Sequence, residues 1–212
     1  MMNIKLKVCG MKFPDNIAAI AELQPDYLGF IFYKGSKRYV ADLSAAVLQS
    51  LPAGIKKTGV FVDEEPLQVA ALTIQYGLNA VQLHGKETVA DCLAIKQLLP
   101  AETELIKAFG VGASFDFDVL KDYMDVVDYF LFDTQTPGHG GSGKTFDWLI
   151  LEKYTLNKPY FLSGGISLNS IDELNKIKDT RLYAVDVNSR FELEPGLKDT
   201  DQLMEFKNMM SY

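Results

Sequence analysis

Short apolar runs and segments with helical spacing alternate along this chain. The continuous apolar run over residues 27–32 is typical of a strand that is buried on both faces. Leu67, Ala70 and Ile74 recur at the intervals of an amphipathic helix. The pattern predicts eight strands, each followed by a helical segment, at a spacing of roughly 25 residues. The predicted strands cover residues 4–9, 27–32, 58–62, 80–83, 105–109, 129–133, 160–162 and 182–187.

Polar or reactive residues stand where these predicted strands end. Cys9 ends the first strand, His84 follows the fourth and Asp133 ends the sixth. Gly164-Gly165 and Asn188-Ser189 follow the seventh and eighth strands. An open doubly wound sheet also alternates strands with helices, but a barrel brings all of its strand ends to one face, where active sites form. We therefore expect an α/β fold, a compact (β/α)8 TIM barrel, with residues 1–212 forming a single domain.

Charge and composition restrict the partners of this barrel. The net charge of −7 argues against nucleic acid, because its phosphates would be repelled. Since no apolar run is long enough to span a bilayer and the N-terminus lacks a signal-peptide pattern, we expect a cytoplasmic protein with no membrane partner. Only Cys9 and Cys92 are present, so a disulfide framework is implausible. Cys92 falls on the apolar stripe of a helix and is interpreted as core.

Cys9 and Asp133 are the first candidates for chemistry. A lone cysteine is often only a small buried hydrophobe, but Cys9 stands at a strand end immediately before Gly10. An aspartate most often caps a helix or faces solvent, whereas Asp133 ends an apolar strand and precedes a glycine-rich loop. Partial burial of such an acid would fit it to donate a proton near neutral pH.

That glycine-rich loop also contains a nucleotide-binding pattern. The segment from Gly138 to Thr145 matches G-x-x-x-x-G-K-[ST], in which backbone N–H groups surround phosphates and the hydroxyl binds magnesium. A nucleotide triphosphatase is therefore an alternative hypothesis. It is disfavoured because a P-loop domain needs a magnesium-binding acid on a further strand, and little of the chain follows Thr145. His139, in the same loop, is assigned no role.

Arg38, His84 and the last two strand ends are candidate binding residues. Arg38 is either a solvated loop charge or the bidentate partner of a carboxylate. His84 is either a structural histidine or a polar contact for the substrate. Gly164-Gly165 and Asn188-Ser189 follow strands seven and eight, whose loops commonly form the phosphate site of a barrel.

Seven motifs, taken together and in this order, carry a resemblance to a known family. They are Lys7-Val8-Cys9-Gly10-Met11, Ser36-Lys37-Arg38-Tyr39-Val40, Gly59-Val60-Phe61-Val62, Val81-Gln82-Leu83-His84-Gly85, Gly140-Gly141-Ser142-Gly143-Lys144-Thr145-Phe146-Asp147-Trp148, Ser163-Gly164-Gly165 and Val185-Asp186-Val187. The chain resembles phosphoribosylanthranilate isomerases over nearly its whole length. The apparent P-loop is part of this resemblance, which removes its support for nucleotide binding.

The resemblance implies an isomerase of tryptophan biosynthesis that needs neither a metal nor an organic cofactor. Its reaction is the Amadori rearrangement of N-(5-phosphoribosyl)anthranilate to 1-(2-carboxyphenylamino)-1-deoxyribulose 5-phosphate. Asp133 matches the family's acid and Cys9 its base. A thiol acts as a base only as a thiolate, so we expect its pKa to be lowered by the site or by the cationic Schiff base. The residues that match substrate contacts are Arg38 and Asp186, with His84 a weaker match, and those that match the phosphate loops are Gly164, Gly165, Asn188 and Ser189.

One loop departs from the family pattern. Asn188-Ser189-Arg190 replaces the usual Ser-Ser-Gly after strand eight, so Arg190 either adds charge to the phosphate site or faces solvent. Two further alternatives are a sister barrel acting on another aminoaldose phosphate and a catalytically silent barrel that binds a phosphorylated metabolite. In each case the expected partner is a phosphorylated small molecule, and the expected state is a monomer or a homodimer.

Overall fold

Eight parallel strands close into a barrel in which β8 lies beside β1. The computed structural model describes residues 4–40, 42–134 and 147–210. The barrel strands are β1 (Lys5–Val8), β2 (Tyr27–Ile31), β3 (Lys56–Phe61), β4 (Ala80–Leu83), β5 (Glu104–Val111), β6 (Tyr129–Thr134), β7 (Tyr160–Leu162) and β8 (Leu182–Val187). Each strand pairs with its neighbour in sequence, and the predicted (β/α)8 barrel is confirmed.

Side chains alternate between two cores along each strand. On β6, Phe130 and Phe132 point outward into the apolar layer beneath the helices. Leu131 points into the barrel, in a smaller cluster that includes Phe161. Because both faces of the strands are covered, the strands read as continuous apolar runs in the sequence. Asp133 follows the inward register of Leu131, which directs a carboxylate towards the barrel axis.

Helical segments connect the strands around the outside. The α-helices are α1 (Pro14–Glu22), α2 (Ala45–Gln49), α3 (Pro66–Tyr76), α4 (Val89–Leu98), α5 (Ile171–Lys176) and α6 (Thr200–Met210). The segments Phe117–Tyr123 and Trp148–Lys153 are 3₁₀ helices, and so are the short turns Leu168–Ser170 and Ser189–Phe191. The helices expected after the fifth and sixth strands are thus present in the tighter 3₁₀ form, which is usual for short connecting segments.

A small hairpin follows β8 and was not predicted. Its strands are β9 (Glu192–Glu194) and β10 (Leu197–Lys198). Asn16 in α1 anchors it, because its Oδ1 accepts from the Lys198 N–H at 2.8 Å and its Nδ2 donates to the Lys198 carbonyl at 2.9 Å. The hairpin thereby brings the side chains of Glu192 and Lys198 close to the carboxyl end of the barrel.

The structure leaves the extent of the domain untested, but it does show whether the described helices could span a membrane. A single domain over residues 1–212 stays a prediction, since both chain ends lie outside the described residues. Of the helices in the described ranges, none combines the length and the apolar character needed to cross a bilayer. The segment from Gly138 to Thr145, with His139, also lies outside the described residues.

Candidate active site

All nine candidate site residues line one cavity of about 560 Å³ at the carboxyl ends of the barrel strands. They are Cys9, Arg38, His84, Asp133, Gly164, Gly165, Asp186, Asn188 and Ser189. A larger cavity, about 1000 Å³, lies outside the barrel between Trp148–Lys153 and α5, and none of the nine residues lines it. The inside of the barrel mouth is therefore the candidate site.

Asp133 lies at one end of a series of three neighbouring polar side chains. Its Oδ1 accepts from the Thr134 N–H at 2.8 Å, and its Oδ2 lies 3.3 Å from His84 Nε2. Gln82 Nε2 lies 2.8 Å from His84 Nδ1. Because an amide nitrogen only donates, Nδ1 must accept, and the ring proton of His84 is held on Nε2, facing Asp133. His84 is thus a partner of the proposed acid as well as part of the cavity wall.

Cys9 is buried and directly follows the last residue of β1. A Cβ added to Gly29 would lie 2.7 Å from its Sγ, so the neighbouring strand has room for the thiol only because residue 29 is glycine. Burial raises the pKa of the Cys9 thiol, although Lys7 and Lys198 act in the opposite direction. The expectation that the site itself lowers this pKa is therefore wrong for the free protein.

Lys7 and Asp186 form a buried ion pair beneath Cys9. Lys7 Nζ donates to Asp186 Oδ2 at 2.8 Å, and the two side chains are 0% and 5% exposed. The pair joins β1 to β8, where these residues are directly in register. Asp186 Oδ1 is buried and has no hydrogen-bond partner in the described part of the chain. One oxygen of Asp186 is therefore held by the barrel, and the other has no partner among the described residues.

Arg38 is held by a residue that the sequence analysis did not include in the site. Its Nε and Nη2 donate to the carboxylate of Glu192 at 2.8 and 2.6 Å. Lys198 Nζ donates to Glu192 Oε1 and to Asn188 Oδ1, both at 2.7 Å. Since a lysine has no acceptor, the atom it contacts on Asn188 is the carbonyl oxygen, and the amide NH2 group points elsewhere.

In the predicted phosphate loop after β7, the backbone adopts conformations that favour glycine. Gly164 and Gly165 both have positive φ angles, 94° and 68°. A Cβ at Gly164 would lie 2.3 Å from Thr134 Oγ1, so close approach of the β7 loop to β6 also requires glycine. Ser189 and the exposed Arg190 complete this side of the cavity. Arg190 is thus an exposed residue on the cavity wall, and a contribution of its charge to the phosphate site stays a prediction.

Comparison with known proteins identifies the family. A family model for N-(5'-phosphoribosyl)anthranilate (PRA) isomerase matches residues 6–209. The chain belongs to this isomerase family. The N-(5'-phosphoribosyl)anthranilate isomerase of Parabacteroides distasonis is 41% identical over 203 residues, which cover 95% of this chain and 90% of that protein. Isomerase activity in tryptophan biosynthesis is thereby supported for this chain.

Solved structures of PRA isomerases agree with this assignment. The Thermotoga maritima enzyme superposes with a TM-score of 0.86 at 35% identity and covers 98% of both chains. A second phosphoribosyl anthranilate isomerase has a TM-score of 0.81 at 31% identity, again over 98% of both chains. That protein was crystallised in complex with reduced 1-(o-carboxyphenylamino)-1-deoxyribulose 5-phosphate.

Four polar residues of the candidate site were not predicted from the sequence. They are Lys7, Gln82, Glu192 and Lys198. Lys7 had a usable signal, because a lysine two residues before Cys9 must share its face of the strand. Glu192 and Lys198 had none, since the hairpin that presents them is not apparent in the apolar pattern. Among the described residues, no group of three or more His, Cys, Asp or Glu side chains is arranged to hold a metal ion.

Proposed function

We propose that this family member converts N-(5-phosphoribosyl)anthranilate to 1-(2-carboxyphenylamino)-1-deoxyribulose 5-phosphate, with Asp133 as general acid and Cys9 as general base. The observation that carries the proposal is the convergence of a carboxyl group and a thiol on one cavity that also contains Arg38 and two glycine loops. A phosphorylated aromatic acid fits that set of groups. The product analogue bound by the related isomerase has the same chemistry.

Asp133 supplies the first proton. Thr134 N–H holds Oδ1, which leaves Oδ2 to carry the proton, and this proton points into the cavity because the N–H of His84 faces the other side of Oδ2. Transfer of this proton to the ribose ring oxygen breaks the C1′–O bond and gives a cationic Schiff base at C1′. Gln82 keeps His84 in the tautomer that faces the carboxyl group. The acid is therefore oriented from both of its oxygens before the substrate arrives.

Cys9 removes the second proton. In the free site burial favours the neutral thiol. The positive charge of the Schiff base favours the thiolate, whose own proton has left to solvent, and the thiolate then takes the proton from C2′. The resulting enolamine tautomerises to the ketone. Activation of the base only after ring opening protects the buried sulfur from reaction in the resting enzyme.

The remaining residues bind the two ends of the substrate. Arg38 contacts the anthranilate carboxylate. Asp186 lines the cavity and accepts from a ribose hydroxyl, and His84 borders the same region. The phosphate contacts come from the backbone of Gly164 and Gly165 and from the polar groups of Asn188 and Ser189, with no metal or cofactor required.

Turnover of freshly generated phosphoribosylanthranilate, followed by loss of its fluorescence, tests the proposal. We expect Asp133→Asn and Cys9→Ala each to lower kcat by about 100- to 10,000-fold, the usual range for a general acid or base. Cys92→Ala removes a buried thiol in α4, away from the cavity, and should retain activity. Absence of turnover by folded wild-type protein with intact substrate would refute the isomerase proposal.

Two other outcomes have defined meanings. Ligand binding without turnover would favour a catalytically silent barrel that binds a phosphorylated metabolite. Full activity of Asp133→Asn would assign the acid to another residue while leaving the reaction in place. A cytoplasmic location, a monomeric or homodimeric state and the absence of a nucleic-acid partner stay predictions from the sequence.

A further inference from the structure

Glu192 lies behind Arg38 and occupies one edge of its guanidinium. Oε1 accepts from Arg38 Nε at 2.8 Å and Oε2 accepts from Nη2 at 2.6 Å, which is a bidentate, charge-assisted pair. The Glu192 side chain is only 4% exposed, and that of Arg38 is 14% exposed. Among the described residues, Arg38 is part of the cavity wall and Glu192 is not. The carboxylate therefore holds the guanidinium from the side away from the cavity.

An arginine side chain offers five N–H donors along two edges. Glu192 takes the edge formed by Nε and Nη2, so the edge formed by Nη1 and the second hydrogen of Nη2 is left for a ligand. We propose that Glu192 is a positioning residue that fixes which edge of Arg38 meets the anthranilate carboxylate and so determines the preference for a ligand that carries it. This inference rests on the proposed function, because it takes the ligand to be an aromatic carboxylate.

The alternative role for Glu192 is that of an internal competitor that the substrate carboxylate displaces. The anchoring of Glu192 argues against displacement. Its Oε1 also accepts from Lys198 Nζ at 2.7 Å and from the Gly196 N–H at 3.0 Å. Moving it would leave a buried ammonium without its carboxylate, which is costly. A rigid Glu192 can orient Arg38, whereas it cannot easily give way to a ligand.

The stem of Arg38 is fixed as well as its end. A Cβ at Gly10 would lie 2.6 Å from Arg38 Cδ and 2.7 Å from Asn188 Oδ1, so the side chain packs directly over a glycine with a φ of 77°. With the stem packed over Gly10 and the guanidinium paired with Glu192, Arg38 has little rotamer freedom to lose when a ligand binds. Pre-organisation of Arg38 should therefore raise the affinity for the carboxylate group of the ligand in particular.

The test compares two ligands by titration calorimetry. One is reduced 1-(2-carboxyphenylamino)-1-deoxyribulose 5-phosphate, and the other is the same compound without the ring carboxyl group. The variant is Glu192→Asp, which keeps the charge but is too short to reach both nitrogens of Arg38. We expect the carboxylated ligand to bind roughly 10- to 100-fold more weakly, the usual value of a charge-assisted contact, while the Kd of the other ligand is unchanged.

Matched variants separate positioning from other roles. Glu194→Asp makes the same change at an exposed position of the same hairpin and should alter neither Kd. In an Arg38→Met background, Glu192→Asp should have no further effect on the carboxylated ligand, because its effect passes through Arg38. Glu192→Gln tests the competitor role directly, since tighter binding of the carboxylated ligand would identify Glu192 as an obstacle.

Each failure has its own signature. Equal weakening of both ligands by Glu192→Asp would show a general structural role and would overturn this inference alone. If Glu192→Asp binds the carboxylated ligand as tightly as wild type or more tightly, this inference alone is overturned. If the folded wild-type protein binds neither ligand, the proposed function fails, and this inference fails with it. If Glu192→Asp does not fold, equal affinity of wild type for the two ligands would overturn the inference, and at least a 10-fold preference for the carboxylated one would support it.

Discussion

Replacing Lys7 with methionine should leave a negative charge without its partner in the centre of the barrel. Lys7 Nζ is the hydrogen-bond donor to Asp186 Oδ2, at 2.8 Å, and Asp186 Oδ1 has no partner in the described part of the chain. Both side chains are buried. Methionine matches the length of lysine closely enough that the main change is loss of the charge.

The size and pH dependence of the effect follow from this burial. Breaking a buried ion pair by removing one partner costs about 3–5 kcal/mol, so we expect the free energy of unfolding to fall by that amount at neutral pH. Burial raises the pKa of Asp186, and without Lys7 only the smaller effect of His84 opposes this rise. A carboxyl group whose pKa is higher in the folded state than in the unfolded state destabilises the fold as pH rises. The deficit of the variant should therefore shrink as pH falls through the raised pKa.

Urea unfolding of four proteins measures this deficit. They are wild type, Lys7→Met, Asp186→Leu and the double variant. In the double variant neither charge of this pair remains, and its stability should return to within about 1–2 kcal/mol of wild type, since apolar replacement of a buried pair is often neutral. A loss below about 1 kcal/mol in Lys7→Met at neutral pH, or a double variant no more stable than Lys7→Met, would refute the reasoning.

Two further predictions concern the catalytic face. In Gly29→Ala the new Cβ would lie 2.7 Å from Cys9 Sγ, so kcat/KM should fall by about 100-fold as the thiol is displaced. The control in the turnover assay is Gly54→Ala, whose Cβ would meet nothing within 4 Å, and equal activity of the two variants would contradict the prediction. Burial lowers the pKa of Lys198 to about 8, so this ammonium is lost as pH rises through that value. Because this ammonium holds Glu192 and Asn188, calorimetric affinity for the phosphorylated product analogue should fall between about pH 7 and 9 in wild type. Parallel pH profiles for wild type and Lys198→Met would show that Lys198 does not cause this fall.

The amino-acid sequence determined the architecture and the location of the site because both depend on local patterns. Continuous apolar runs at regular spacing predict buried parallel strands, and strand ends carrying Cys9, His84 and Asp133 predict one functional face. All nine candidate residues do line a single cavity. The fold class and the location of the candidate site could therefore be predicted from residue type and position alone.

Only the tertiary structure decided which charged groups meet. Lys7 and Asp186 are 179 residues apart in sequence, and Arg38 and Glu192 are 154 apart. Such pairs form when β8 closes against β1 and the hairpin folds over the barrel mouth. The local pattern of apolar residues does not predict either contact. The direction of the pKa shift of Cys9 is also a tertiary property, because burial and the neighbouring charges act on it in opposite directions.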